Sequence, residues 1–118
     1  MSVTPDQLVS AMVAALEDIK ADNIQVLDVR KLTSMCDYMI IGSGRSNRQV
    51  SAMADSAIEA AKKLGVKPLG TEGQQGGEWV LVDLGDVVVH AMHPLTRAFY
   101  ALEKLWGDPE LARQSTSR

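Results

Sequence analysis

Residues 72–93 read EGQQGGEWVLVDLGDVVVHAMH, and two apolar runs in this segment flank the four residues DLGD at 83–86. Aspartate and glycine between runs that are rich in β-branched residues are typical of a tight β-hairpin. The segment therefore predicts two paired strands, 79–82 and 87–92, joined by a short turn.

The register of this hairpin has two alternatives. If Gly85-Asp86 is the loop, the turn is type II′ and Leu84 lies opposite Val87; if Leu84-Gly85 is the loop, Asp83 lies opposite Asp86. Because side chains alternate along a strand, both registers predict the same two faces. One face is entirely apolar and holds Val80, Val82, Leu84, Val87, Val89 and Ala91. The other face is mixed and holds Trp79, Leu81, Asp83, Val88, His90 and Met92.

The mixed face of the hairpin has two interpretations. Near-continuous apolar strands usually belong to a sheet that is covered on both sides, which would place these polar groups near its rim. Alternatively, Trp79 and its neighbours form a docking surface, because tryptophan is enriched at binding hot spots where its flat ring is fully desolvated.

Length and composition indicate one domain. A chain of 118 residues can bury a substantial core, and no segment approaches the length of a membrane span. The N-terminus lacks the pattern of a secretory signal, and Cys36 is the only cysteine, which fits a reducing, cytoplasmic environment. We expect a single domain over residues 1–107 and a polar, frayed tail over 108–118.

The charge balance favours a protein partner over nucleic acid. The net charge is −3 and the pI is about 5.3, whereas binding to phosphates requires a basic patch. The basic residues nearest to such a patch are spread along one predicted helix and its exit: Arg45, Arg48, Lys62, Lys63 and Lys67. We therefore expect no dedicated nucleic-acid site and no membrane contact, and an acidic surface that suits a basic partner.

Capping signals and periodicity locate the other elements. A capping box at residues 4–7 opens a first helix that we expect to end near Ala21, and strands are predicted at 24–29 and 37–41. A second capping box at residues 46–49 opens a helix that ends at Gly65, with a buried stripe of Val50, Met53, Ala54, Ala57, Ala61 and Leu64.

The remaining segments complete the predicted fold. A short edge strand is expected at 66–69, interrupted by Pro68, followed by a mobile loop at 70–77. After the hairpin, Pro94 opens a last helix with a buried stripe of Leu95, Ala98, Phe99, Leu102, Leu105 and Trp106, and residues 107–109 end it. The order α-β-β-α-β-β-β-α predicts an α/β fold, a single mixed five-stranded sheet packed with helices.

Enzymatic interpretations lack the residues they need. The Gly42-Ser43 pair after a strand is the first half of a nucleotidyltransferase signature, but that chemistry also needs two carboxylates one residue apart. The following helix offers a single aspartate, Asp55, while Asp83 and Asp86 are separated by two residues across a turn. The glycine-rich turn at 42–46 also lacks the lysine of a phosphate-binding loop, which favours an ordinary strand-to-helix turn.

The two histidines do not complete a metal or catalytic set. No second cysteine or matching histidine pair joins His90 and His93, and nothing in the sequence fixes Ser43, His90 and Asp83 as a triad. The pattern favours a half-buried, hydrogen-bonded histidine at position 90, and it predicts no catalytic residue, metal or cofactor.

Several motifs recur together over nearly the whole chain, apart from its last ten or so residues. They are DYMIIGSG at 37–44, Ser46, RQV at 48–50, EG at 72–73, WVLVDLGDVVVH at 79–90 and RAFYALEKLW at 97–106. In this order they closely resemble the ribosome silencing factor family, also called the Iojap family. The resemblance implies a mixed sheet with helices that is distantly nucleotidyltransferase-like but without the metal carboxylates, and a role that is not enzymatic.

The resemblance also implies a partner. Family members bind ribosomal large-subunit protein fourteen at the face that meets the small subunit, which blocks subunit joining and represses translation when nutrients are short. Free members are often homodimers. The family's docking surface includes a tryptophan and a nearby aspartate, which correspond to Trp79 and Asp83. From the hairpin geometry we add Leu84, Gly85, Asp86, His90 and Met92 to the predicted partner-binding residues.

Overall fold

A computed structural model describes residues 3–73 and 76–100, which fold into helices packed on one sheet. The elements are α1 (Pro5–Asp18), β1 (Asp22–Asp28), β2 (Tyr38–Ser43), α2 (Asn47–Lys63), β3 (Gly70–Glu72), β4 (Trp79–Asp83), β5 (Val87–Met92) and α3 (Pro94–Tyr100). This order confirms the predicted succession of helices and strands. None of the helices described is long and apolar enough to cross a membrane.

The five strands form one mixed sheet in the order β1-β2-β5-β4-β3. The β2 and β5 strands are parallel, whereas the other neighbouring pairs are antiparallel. The predicted mixed five-stranded sheet is therefore confirmed. In the β4–β5 hairpin, β5 is the central strand of the sheet and β4 lies between β5 and the edge strand β3.

The first helix begins as its sequence predicts. The Thr4 hydroxyl oxygen accepts from the Gln7 amide at 3.1 Å, and the Gln7 side chain accepts from the Thr4 amide at 2.9 Å. Both halves of the capping box are thus formed. The helix ends at Asp18, three residues before the predicted end, because Lys20 adopts a positive φ of 61° that interrupts helical geometry.

The second helix begins with half of its predicted capping box. The Ser46 hydroxyl accepts from the Gln49 amide at 3.1 Å, but the Gln49 side-chain oxygen accepts from the Arg45 amide rather than from that of Ser46. The Gln49 side-chain nitrogen also donates to the carbonyls of Ile19 and Lys20. The start of α2 is therefore bonded to the end of α1.

The core lies between these two helices and one face of the sheet. The α2 stripe is buried as predicted except for Leu64, which is exposed where the helix ends at Gly65. The apolar face of the hairpin packs against this layer, and all six of its residues are buried. Burial of such side chains supplies the main stabilising free energy of the fold.

The third strand is displaced from its predicted position. We predicted 66–69, whereas β3 spans Gly70–Glu72 at the sheet edge. Pro68 has no N–H to donate, so the bonds to β4 begin only at Leu69, whose amide donates to the Asp83 carbonyl at 2.8 Å. The prediction of a loop at 70–77 is therefore wrong for its first three residues, while residues 74 and 75 lie outside the part described.

The last helix also differs from its prediction. Leu95 is 77% exposed and Ala98 is exposed, whereas Arg97 is buried, so the expected apolar stripe is wrong at these positions. Arg97 donates to the Asn23 carbonyl at 2.6 Å and to the Ser43 hydroxyl at 2.9 Å, and these polar groups favour a donor over an apolar side chain. The Phe99 side chain, the other predicted stripe residues (Leu102, Leu105 and Trp106) and the tail lie outside the described residues.

Candidate docking surface

The hairpin adopts the first of the two predicted registers. Asp83 pairs with Val88, and the Leu84 amide donates to the Val87 carbonyl at 2.9 Å, which leaves Gly85-Asp86 as the loop. Gly85 has a φ of +89°, and a positive φ at the first loop residue alone is the pattern of a type II′ turn. The Asp83 carboxylate accepts from the Gly85 amide at 2.9 Å and so stabilises the turn.

The mixed face of the hairpin lies on the side of the sheet opposite α1 and α2. Trp79, Leu81, Asp83 and Val88 are partly exposed on this side. They adjoin Met39 of β2, because β2 and β5 pair in parallel with Met39 opposite Val88. Glu72 of β3 adjoins the same side through its pairing with Leu81, so Met39 and Glu72 extend the mixed face beyond the hairpin.

Burial separates the seven predicted partner-binding residues into two groups. Trp79, Asp83, Gly85 and Asp86 are accessible, so a contact between a partner and these four residues remains a prediction. The other three are buried, namely Leu84, His90 and Met92. Leu84 faces the helices, while the side chains at 90 and 92 lie beneath the surface of the mixed face, so for these three residues a contact with a partner stays a prediction that the free chain's burial does not favour.

The buried side chain of His90 contacts the ring of Trp79 and accepts a hydrogen bond from it. The indole Nε1 donates to the imidazole Nδ1 at 3.0 Å, and the ring centroids are 5.9 Å apart at an angle of 45°. Burial lowers the pKa of His90 to about 4, so the imidazole is neutral at pH 7. Because Nδ1 is the acceptor, the proton of the neutral ring lies on Nε2, which is buried without a hydrogen-bond partner among the described residues. The predicted hydrogen-bonded histidine is confirmed, although its side chain is fully rather than half buried.

Glycines that precede β4 contact the backbone of Trp79 and the start of α2. Gly73 has a φ of +87°, and a Cβ added there would lie 1.9 Å from the Trp79 carbonyl oxygen. The Gly77 amide donates to the Gly73 carbonyl, and the Asn47 side chain at the start of α2 donates to the Gly76 carbonyl at 3.3 Å. Only glycine fits this close approach at position 73, so Gly73 packs directly on the backbone of Trp79.

Two clefts open on the mixed face, one on each side of Leu81. The first has a volume of about 330 Å³ and is lined by Glu72, Gly73, Trp79 and Leu81. The second has a volume of about 220 Å³ and is lined by Thr33, Met35, Cys36, Met39, Leu81, Asp83, Val88 and His90. Both are walled mainly by apolar atoms, and among the described residues each is lined by one carboxylate. Met35 at the rim of the second cleft is 87% exposed.

Sequence reasoning missed several of these lining residues. Glu72 reaches the mixed face because it pairs with Leu81 across the β3–β4 ladder, and Met39 reaches it through the parallel β2–β5 pair. The one sequence signal that could have identified Glu72 is Pro68, because a strand placed after this proline would have included Glu72. The pairing of β2 with β5 joins segments that are far apart in the chain, and no local pattern reveals it.

The residues considered for catalysis are engaged elsewhere. Ser43 is buried and its hydroxyl accepts from Arg97, while Asp55 is exposed on α2, away from the mixed face. Cys36 is buried, and desolvation raises the pKa of its thiol above the ordinary value, which reduces its nucleophilicity at neutral pH. Within residues 3–73 and 76–100, no group of three or more histidine, cysteine or acidic side chains is placed to hold a metal ion.

Comparison with known proteins identifies relatives over most of the chain. The curated ribosomal silencing factor RsfS of Chromobacterium violaceum is 54% identical over 95 residues, covering 80% of this chain and 78% of the relative. A mouse protein named mitochondrial assembly of ribosomal large subunit protein 1 is 36% identical over 101 residues, covering 83% of this chain and 44% of that protein.

A solved structure shares the fold. A crystal structure of a Chromobacterium violaceum protein superimposes with a TM-score of 0.87 at 48% identity, covering 89% of this chain and 88% of the other. A family model described as "Ribosomal silencing factor during starvation" matches residues 2–118. With this match and the 54% identity of a curated member, the chain belongs to the ribosomal silencing factor family, RsfS, as its motifs predicted.

Proposed function

We propose that this protein represses translation by binding the large ribosomal subunit through its protein fourteen, at the surface that meets the small subunit. It acts in the cytoplasm, without a cofactor and without catalysis. Family membership supports a ribosomal partner, and the name of the mouse relative refers to the large subunit.

The observation that carries this proposal is the partial exposure of Trp79, Leu81 and Asp83 along one strand of the mixed face. A tryptophan whose indole is bonded to a buried histidine is already ordered, so a partner loses little conformational entropy in packing against it. The neighbouring carboxylate selects a basic surface and accelerates the encounter with it.

Repression by this mechanism requires no chemical step. A folded domain of 12.8 kDa bound at the intersubunit surface occupies volume that the small subunit needs. Subunit joining is then prevented for as long as the domain stays bound, and release restores the subunit unchanged. The mechanism therefore depends on the dissociation rate of the complex, which apolar contacts around Trp79 would slow.

Charge reversal at Asp83 tests the proposal. We expect Asp83→Lys to fold, to lose the large subunit in pull-downs, and to stop blocking subunit joining in sucrose gradients, because it sets a like charge against a basic partner. The matched control is Asp55→Lys, which makes the same change on the exposed surface of α2, on the other side of the sheet. It should bind and block joining as the wild type does.

A second variant distinguishes the effect of the negative charge of Asp83 from the effect of its hydrogen bond in the turn. Asp83→Asn retains a side-chain oxygen that can accept from the Gly85 amide but removes the negative charge. We expect it to melt like the wild type and to bind more weakly. If a folded Asp83→Lys protein still prevented subunit joining, the mixed face would be the wrong docking surface.

We further propose that the free protein is a homodimer that uses the mixed face. Trp79, Leu81 and Val88 make this face more apolar than a solvated surface usually is. Analytical sedimentation at micromolar concentration should reveal a species heavier than 12.8 kDa. Addition of large subunits should deplete this species, because docking and self-association compete. A single 12.8 kDa species at such concentrations would contradict the dimer.

A further inference from the structure

We propose that the mixed face receives two basic side chains of one extended partner segment, the first beside Glu72 and the second beside Asp83. This inference rests on the proposed function, since the segment belongs to the ribosomal protein that is bound. It adds Glu72 and Leu81 to the residues that determine specificity, and it assigns a chemistry to each of the two clefts.

The strand register places the two carboxylates on the same face. Glu72 pairs with Leu81, and Asp83 lies two residues further along the same strand, so Glu72 and Asp83 are diagonal neighbours. Diagonal positions of an antiparallel pair are roughly 7–8 Å apart. The two acidic groups line different clefts, which share Leu81 as a common wall, so each cleft offers its own carboxylate to a cationic group.

The lining of each cleft suits the chemistry of a lysine or arginine side chain. Such a side chain packs its methylene groups on apolar surface while its charged end reaches a carboxylate. In the first cleft the apolar wall is formed by Trp79 and Leu81, and the indole ring also favours a nearby cation. In the second, Leu81 and Val88 form part of the wall beside Asp83.

The Glu72 carboxylate, and the oxygen of Asp83 that does not accept from the Gly85 amide, are available for a partner. The ion pairs within the described residues join Arg30 to Asp28 at 2.6 Å and Arg45 to Asp22 at 3.0 Å, and neither involves Glu72 or Asp83. Unpaired acidic groups next to apolar surface attract cationic side chains most strongly when the contact excludes water.

The spacing of the clefts indicates the form of the partner segment. Alternate residues of an extended strand point the same way and are about 6.6 Å apart, close to the roughly 7–8 Å between the diagonal strand positions of Glu72 and Asp83. Basic side chains at alternate positions of an extended segment can therefore enter both clefts together. A lone basic residue would fill only one of them.

Matched charge reversals test the inference. Glu72→Lys and Asp83→Lys are compared with Glu59→Lys and Asp55→Lys, which make the same changes at exposed positions of α2. The measured quantity is the dissociation constant for purified bacterial large ribosomal subunits, determined by co-sedimentation at two salt concentrations. Thermal melting of each variant checks that it folds. If a lysine variant does not fold, Asp83→Asn or Glu72→Gln replaces it in the binding measurement.

We expect each reversal on the mixed face to weaken binding by at least about tenfold, because like charges brought together cost several kcal/mol. Each should also reduce the loss of affinity with added salt, because one attractive charge is gone. The two control reversals on α2 should change the dissociation constant by less than about twofold, since exposed charges away from the contact are largely screened.

Three outcomes would overturn the inference in distinguishable ways. If Glu72→Lys binds like its control while Asp83→Lys does not, the two-cleft arrangement is wrong and the proposed function stands. If wild-type protein does not co-sediment with large subunits, both the function and the inference fail. If Glu72→Lys dissociates the homodimer and leaves subunit binding unchanged, the first cleft is occupied by a second copy of this chain.

Discussion

Ile40→Ala is expected to lower the free energy of unfolding by about 3–4 kcal/mol, within the range for truncating a large buried aliphatic side chain. Ile40 lies on β2 with 0% of its surface exposed, in the cluster that joins the sheet to α1 and α2. The substitution removes apolar contacts and leaves a cavity that the surrounding helices can only partly fill. Urea denaturation followed by circular dichroism measures the change.

A neighbouring residue provides the control. Val26 pairs directly with Ile40 across β1 and β2, so both side chains lie on the same face, but Val26 is 42% exposed at the sheet edge. Val26→Ala should cost less than about 1 kcal/mol, because little apolar area is lost from the interior. Equal destabilisation by the two substitutions would mean that the helical layer does not cover the sheet as described.

Acidification is expected to destabilise the protein through His90. Burial lowers the pKa of this residue from 6.5 to about 4, so below pH 6.5 the unfolded chain binds a proton that the folded chain does not. The contribution of neutral His90 to stability is therefore complete above pH 6.5 and is lost as the pH falls towards 4. A pKa lowered this far corresponds to about 3 kcal/mol.

A variant that does not titrate isolates this effect. His90→Gln can still accept from the Trp79 indole but gains no charge in this pH range. Unfolding free energies of both proteins between pH 7 and pH 4 should diverge by up to about 3 kcal/mol, with the wild type losing more. Carboxylates contribute equally to both curves, so parallel curves would show that the imidazole is not buried in its neutral form.

Local signals in the sequence predicted most of the fold. The Thr4 and Ser46 caps, the helix stop at Gly65 and the Gly85 turn each depend on residues within a few positions, and each appears in the structure. The alternation of the hairpin also predicted which of its faces enters the core. Such signals are reliable because backbone geometry and side-chain chemistry agree over one short segment.

Contacts between distant segments could not be predicted in this way. Arg97 is buried because it bonds to Asn23, 74 residues away in the chain, whereas helical periodicity alone favoured its neighbour Leu95 as a core residue. His90 was expected to be only half buried, because the sequence does not show that its ring lies beneath the surface and accepts from the Trp79 indole. Glu72 was predicted to lie in a loop. Pro68 delays the start of β3 because it cannot donate a hydrogen bond to β4, and the sequence alone does not show that β3 pairs with β4.

The two edge strands of the sheet affect how copies of this protein can associate. At one edge, β3 has only three residues, and at the other, the register of β1 is interrupted between Asp22 and Gln25, where Asn23 has a φ of 51°. Short or irregular edge strands resist hydrogen bonding to the strands of another molecule. Open-ended growth by strand addition is thus disfavoured at both ends, so a cell could accumulate the protein to high concentration without seeding fibrils. Self-association through a sheet face, in contrast, closes at two copies.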